Sequence, residues 1–242
     1  MKISVLTPSV RKELLPIVEK CLSRQTFSAE SYEWLVCSPK DYGFGEWVPE
    51  PPKRDGDYYS LNKAMNALYR ASTGELTIEI TDGIWFEPDI LEKLWNHYEA
   101  NPKACIGAVG NQYDEIIQGK PEHLVWRDPR MRMDQGSFYE INPNDLELCI
   151  GSIPKQAILD VGSVDEEFDK VAALSEKEMA LRMDKAGYKF YLDQSIEYRA
   201  IKHPRLNEQW DEKYQEGVKY FQKCVHEIVQ RDRMKLSYLD KS

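Results

Sequence analysis

The chain has 242 residues, 42% apolar and 30% charged, a composition that allows one substantial core with an appendage and makes two full domains a squeeze. Its net charge of -9 disfavours broad binding to nucleic acid, no stretch reaches the roughly 18 apolar residues of a membrane span, and "ISVLTP" follows Met1-Lys2 too directly for a signal peptide, so no transmembrane segment and a cytoplasmic location are expected. Five scattered cysteines, Cys21, Cys37, Cys105, Cys149 and Cys224, contain no C-x-x-C pair and read as small apolar residues, neither a disulfide framework nor a zinc site.

"ISVLTP" (3–8) is an apolar run stopped by Pro8, and Leu14, Val18, Cys21 and Leu22 follow at helical spacing, giving strand, loop, helix. "YEWLVCS" (32–38) is the next strand, and "DYGFGEWVPEPPKRDGD" (41–57), with its Gly and Pro, is a long irregular connection of the kind that often carries function. "SLNKAMNALYRASTGE" puts Leu61, Ala64, Met65 and Leu68 on one helical face, with Ser60 as N-cap and Gly74 as the stop. The buried strand "LTIEI" (76–80) follows and breaks at Thr81-Asp82-Gly83. "PDILEKLWNHYEANP" (88–102) is an amphipathic helix opened by Pro88 and Asp89, and "ACIGAVG" (104–110) is another buried strand. This alternation predicts a mostly parallel sheet with helices on both faces.

Residues 111–148 lose periodicity and read as loops and short strands over a site; their arginine run "WRDPRMRM" (126–133) is more simply a solvated loop than a polyanion site. "SEKEMALRMDKAGY" (175–188) is helical, with Ser175 as N-cap and Glu178 at the capping-box position, and "KFYLD" (189–193) is a strand. Trp210, Tyr214, Val218, Phe221, Val225 and Ile228 define a long C-terminal helix whose stripe packs on the domain or pairs with a second copy as a homodimer. In open sheets of this kind ligands bind beyond the carboxyl ends of the strands, so Thr7, Ser38, Asp82 and the region after Val109 share the edge where a site should be. Asp82 there is either a turn cap or the holder of a phosphate-bound metal.

The order and wording of these segments resemble the family 2 glycosyltransferases over residues 3–203. "LTPSVRKELLPIVEKCLSRQTF" is similar to that family's strand, T-P-x-x-N and S-x-x-x-Q-T opening; "AMNALYRASTGELTIEITDG" to its A-R-N helix, A-x-G-E and strand ending in D-x-D; and "FEPDIL" to its E-P-D-x-L. "IPKQAILDVGSVDEEFDKVAALSEKEMALRMDKAGYKFYLD" looks like its acceptor-side segment, and His203 in "IKHPR" stands where the family carries a histidine. The D-x-D motif is degenerate here, reduced to Thr81-Asp82-Gly83. The E-D pair reads Ser175-Glu176, and the acid at the end of the second strand is replaced near Cys37-Ser38.

The resemblance implies an α/β GT-A fold, a Rossmann-like mostly parallel sheet flanked by helices with a C-terminal helical extension. It divides the chain into a GT-A domain over 1–204, with a nucleotide-sugar half (1–110) and an acceptor half (111–204), and a C-terminal helix over 205–242. The implied activity is inverting transfer from a nucleotide-diphosphate sugar, a UDP-sugar first, to an acceptor glycan or other hydroxyl. Glu176 would be the base, against its bland role as a first-turn charge on the helix dipole. Asp82 and His203 would hold a divalent cation, Mn²⁺ or Mg²⁺. Thr7, Pro8, Ser9, Arg11, Ser38, Asn62, Lys63 and Asp82 would meet the donor, with Lys63 or Arg11 able to neutralise phosphate directly. Trp85, otherwise a core aromatic, would wall the sugar, with Gly151 and Ser152 as further substrate contacts. The rival function is a catalytically inactive GT-A-like module that binds a glycan or nucleotide. A nucleotidyltransferase is disfavoured because "TPSVRKE" contains no glycine.

Overall fold

A computed structural model describes residues 1–132, 136–201 and 210–239, with side chains through 229. The strands are Ile3–Pro8 (β1), Tyr32–Ser38 (β2), Glu46–Pro49 (β3), Leu76–Ile80 (β4), Ile84–Phe86 (β5), Ala104–Ile117 (β6), Lys120–Trp126 (β7), Phe138–Glu140 (β8), Ile150–Pro154 (β9) and Lys189–Ile201 (β10). The helices are Leu15–Leu22 (α1), Leu61–Ala71 (α2), Ile90–Ala100 (α3), Lys155–Val161 (α4), Ser175–Lys185 (α5) and Trp210–Leu239 (α6). Among the described residues the strands make one sheet in the order β3-β2-β1-β4-β9-β6-β10-β5, with β7 beside β6 and β8 beside β10.

The parallel expectation holds where the alternation of strand and helix is regular: β3, β2, β1 and β4 run parallel, as do β6 and β10. Between these blocks β9 runs antiparallel to both β4 and β6, placing Gly151 opposite Glu79 on one side and Gly107 on the other. Strand periodicity of two sorts the core onto two faces. Val5, Ile78 and Ile80 pack with Ile17 and Val18 of α1 and Leu91 and Leu94 of α3, whereas Leu6, Leu35 and Ile153 pack with Met65 and Leu68 of α2, Ile158 of α4 and Met179 and Met183 of α5. Thr77 and Glu79 of β4 therefore face the α2/α5 layer. Of the five cysteines, all free thiols, Cys21, Cys37 and Cys105 are buried and the other two half-buried.

Several local expectations give way to tertiary pairing. Residues 41–57 hold a short edge strand, β3, whose exposed side chains leave no apolar run to betray it. "ACIGAVG" continues to Ile117 and "KFYLD" to Ile201, because past a bulge between Asp193 and Glu197 the two strands keep pairing through Tyr113 and Ile201. The arginine run is pinned rather than solvated at Arg130, whose guanidinium binds Asp128 at 2.5 Å and donates to the Ala108 carbonyl at 3.0 Å. Helix α2 stops at Ala71, short of Gly74; that glycine is needed for close approach, since a Cβ there would lie 2.6 Å from the backbone of Ile3 and Ser4.

Ser60 takes the N-cap position of α2 but its side chain does not cap: the hydroxyl turns to Glu50, and the carboxylate of Asp169, over a hundred residues away, takes the N–H groups of Asn62 and Lys63 at 2.9 and 3.1 Å. Ser175 lies inside α5, with left-handed Leu174 at the N-cap, and Glu178 is gripped by Arg182 instead of closing a capping box. The C-terminal α6 packs on the segment that leads to α5. Gly217 lies so close to the Ala172 carbonyl that a Cβ would meet it at 2.3 Å, and Tyr220 packs on Phe168 and donates to Asp165 at 2.7 Å. Among the described residues no helix is long and apolar enough to cross a membrane.

Candidate functional site

The carboxyl ends of β1 and β4 bring together two carboxylate environments. In the first, Gly83 with φ +72° turns the chain out of β4 and leaves Asp82 buried against the loop after β1. Asp82 Oδ2 accepts from the Ser9 hydroxyl at 2.7 Å and from Arg11 Nε at 3.2 Å, and Oδ1 pairs with Arg11 Nη2. The Ser9 oxygen also accepts the Arg11 backbone N–H at 3.1 Å, so the loop is folded around this pair. Arg11 Nη1 is sealed with no partner among the described residues.

This arrangement does not fit a divalent cation. Both Asp82 oxygens are spent on a bidentate guanidinium, and among the described residues no group of three or more His, Cys, Asp or Glu side chains is placed to hold a metal. His203, the other ligand suggested by sequence, lies outside the described residues.

Other expected donor and substrate contacts are engaged elsewhere. The Thr7 hydroxyl is fully buried and accepts from Trp34 Nε1 at 3.0 Å. Ser38 is fully buried too, its hydroxyl closing a turn onto the Lys40 carbonyl at 2.7 Å. Lys63 is 4% exposed and its ammonium is matched by the buried Asp57 carboxylate, so it has no charge to spare for phosphate. The Asn62 amide donates to Asp169 at 2.9 Å, although the residue still edges the cavity described next. Trp85 is 5% exposed, packs in the core with Lys120, Arg24 and Arg199 at 4.2, 5.7 and 5.5 Å from its ring, and does not line the cavity described next. Gly151 and Ser152 lie inside the sheet on β9, Ser152 fully buried, and neither lines the cavity described next.

The second environment is a cavity of about 250 Å³ walled by Pro8, Asn62, Thr81, Cys149, Glu79 and Glu176. Glu176 stands in the first turn of α5, half-buried, with the Ser175 hydroxyl at 3.5 Å. Ala173 and Leu174 before it both take left-handed backbone, φ 62° and 72°, which non-glycine residues adopt only under constraint, and this kink aims the helix start at the cavity. Burial raises the Glu176 pKa above the ordinary carboxylate range, against the pull of its own N–H and of Lys177.

Sequence reasoning missed Glu79, Tyr69 and Asp169. Glu79 is 6% exposed and accepts from the Tyr69 hydroxyl. Burial pushes its carboxyl up to about 8, the Tyr69 hydrogen bond pulling down and the Glu176 charge pushing further up. The available signal was a lone acid inside the otherwise buried run "LTIEI". Asp169 left no such trace, because its helix-capping role depends on the fold alone.

No protein-family model and no curated protein sequence matches the chain. Solved structures do. TarS 1-349 of S. aureus in complex with UDP is 13% identical with a TM-score of 0.58, over 84% of this chain and 61% of that one. The same protein with UDP-GlcNAc is 12% identical with a TM-score of 0.58, over 85% and 60%. GalNAc-T7 with UDP, GalNAc and Mn²⁺ is 12% identical with a TM-score of 0.64, over 84% and 44%. The chain thus spans about three fifths of the TarS structures and under half of GalNAc-T7. At these identities the likeness shows the fold, which is that of the GT-A glycosyltransferases.

Proposed function

We propose that the protein is an inverting glycosyltransferase that moves a sugar from a nucleoside-diphosphate sugar, a UDP-sugar first, to an acceptor hydroxyl. The observation that carries this is the meeting of Glu176, on the start of α5, with a cavity at the carboxyl ends of β1 and β4. The fold supports it, since TarS has been solved with UDP and UDP-GlcNAc and GalNAc-T7 with UDP, GalNAc and Mn²⁺.

In the transfer, the acceptor oxygen bonds to the anomeric carbon while the bond from that carbon to the diphosphate oxygen breaks, its electrons leaving on phosphate. Glu176 takes the acceptor proton, and its raised pKa makes it a stronger base than a solvated glutamate. No cation is assigned to the departing diphosphate, because Arg11, fixed by Ser9 and Asp82, already has its charge answered by a carboxylate, as Lys63 has. Mn²⁺ or Mg²⁺ would have to displace Arg11 from Asp82, so no step is assigned to a metal. In this reading residues 1–110 are the donor half and 111–204 the acceptor half, and α6 braces the segment that leads to Glu176.

The test is a thermal-shift screen against UDP-, GDP-, CMP- and dTDP-sugars, each with Mn²⁺ and with EDTA, followed by a transfer assay on any donor that binds. A ligand that binds only the native state raises the midpoint, so one donor class should stand out. Failure of every donor removes the proposal. The closed Arg11–Asp82 pair favours a second reading, a module that binds without turnover. Transfer by the wild type that Glu176→Gln lacks would exclude it.

A further inference from the structure

The cavity beneath Glu176 has an unusual balance of groups. Glu79, Glu147 and Glu176 line it, and no described Lys, Arg or His does. A diphosphate would find no partner cation there. The volume of about 250 Å³ leaves room for a sugar ring beside Glu79 and Glu176.

Glu79 is the fixed point of this cavity. It sits mid-strand on β4, held by pairing with Leu6 of β1 and Gly151 of β9. Its Oε1 is tied to Tyr69 of α2, while Oε2 has no partner among the described residues and is not one of the sealed unpartnered atoms, so it opens on the cavity. A side chain more than nine-tenths buried, fixed at one oxygen and presenting the other to the cavity, is a built contact for a polar group of a ligand.

We propose that Glu79 binds the transferred sugar, hydrogen-bonding one ring hydroxyl through Oε2, and thereby selects which sugar the enzyme accepts. This rests on the glycosyltransferase reading and deepens it. The proton that burial keeps on Glu79 at neutral pH lets the carboxyl donate to a neutral hydroxyl without adding charge near the diphosphate. The titratable groups around it are Tyr69 on α2, Glu176 on α5, and Glu147 and Cys149 across the cavity, with Cys105 behind Tyr69.

The experiment is titration calorimetry of the wild type, Glu79→Gln and Glu79→Leu with UDP, UDP-glucose, UDP-GlcNAc, GDP and GDP-mannose. The quantity read is the gain in affinity that the sugar adds to its own nucleotide. Glu79→Leu should lose about tenfold of that gain and Glu79→Gln, which keeps a donor and an acceptor, within about threefold of none, a site built to hydrogen-bond a hydroxyl being sensitive to its removal. Affinity for the bare nucleotide should be unchanged in both. A Glu79→Leu protein that keeps the full sugar gain, or loses bare-nucleotide affinity in parallel, overturns the assignment. A wild type that binds every nucleotide but shows no sugar gain overturns it as well. A wild type that binds none of the five, and no CMP- or dTDP-sugar either, overturns the glycosyltransferase reading first, and this inference with it.

Discussion

At the Asp82 corner both carboxylate oxygens meet a guanidinium or a hydroxyl, and the loop after β1 is folded around the pair. In the cavity next to it, Glu79 and Glu176 have no cation at ion-pair distance among the described residues; Glu79 meets the Tyr69 hydroxyl, and Glu176 the Ser175 hydroxyl and its own N–H. Asp82 and Glu79 are three residues apart, yet the first has its charge answered in place and the second keeps its proton because ionising in the interior would cost more. Neutralised acids hold geometry; acids left without a cation are the ones able to exchange protons and read hydroxyls.

The contrast breaks most severely at Glu176. Replacing it by Gln should lower turnover by about 100- to 10,000-fold with donor affinity nearly unchanged, measured as kcat and as calorimetric affinity. In the wild type kcat should rise with pH through the raised Glu176 pKa, because only the ionised form accepts a proton. A variant as active as the wild type would remove Glu176 from the chemistry.

Next in size is Arg11→Ala, which strands the buried Asp82 charge and should cost roughly 2–4 kcal/mol of stability by thermal or urea unfolding. Added Mn²⁺ should restore part of that loss in the variant, by taking the vacated carboxylate, and leave the wild-type midpoint unmoved. Equal stabilisation of both proteins would show that Arg11 does not exclude the metal.

Glu79 sharpens the comparison through pH. Its folded pKa of about 8 lies above the unfolded value, so between pH 5 and pH 8 the unfolded chain releases a proton that the folded one keeps. Stability is therefore full at the acid end of that window and falls as pH rises, by about 1.4 kcal/mol per unit for this one group. Glu79→Gln should remove that slope in unfolding curves taken across the window; an unchanged slope would mean that Glu79 is ionised in the fold. The smallest expected effect is that of EDTA, which should leave the wild-type shift with a bound nucleotide sugar unchanged, since Arg11 already occupies Asp82.

Much of the scaffold was legible from local pattern. Apolar runs ending at Pro8, Ser38 and Ile80 marked β1, β2 and β4 to the residue, and amphipathic spacing marked α2 and α3. The family resemblance further singled out Asp82, which follows the end of β4, and Glu176, which lines the cavity from the first turn of α5. Trp85 shows where such reasoning fails: an aromatic beside a site motif looks the same whether it faces a ligand or the core, and here it packs in the core. The antiparallel β9 was equally hidden, because "IGSIP" is fully buried on both faces and carries no alternation.

The sequence by itself determined which segments could bury a face, since periodicity is a property of neighbouring residues, and with it the alternation of strand and helix. Only the tertiary structure decided how each buried charge is answered. Lys63 meets Asp57 through the turn ahead of α2, Asp169 caps α2 from over a hundred residues away, Arg11 reaches Asp82 across 71, and Glu79 is left with a hydroxyl and an open cavity. Coulomb and desolvation energies depend on distance and dielectric in space, so the line between a structural carboxylate and a working one was drawn by folding.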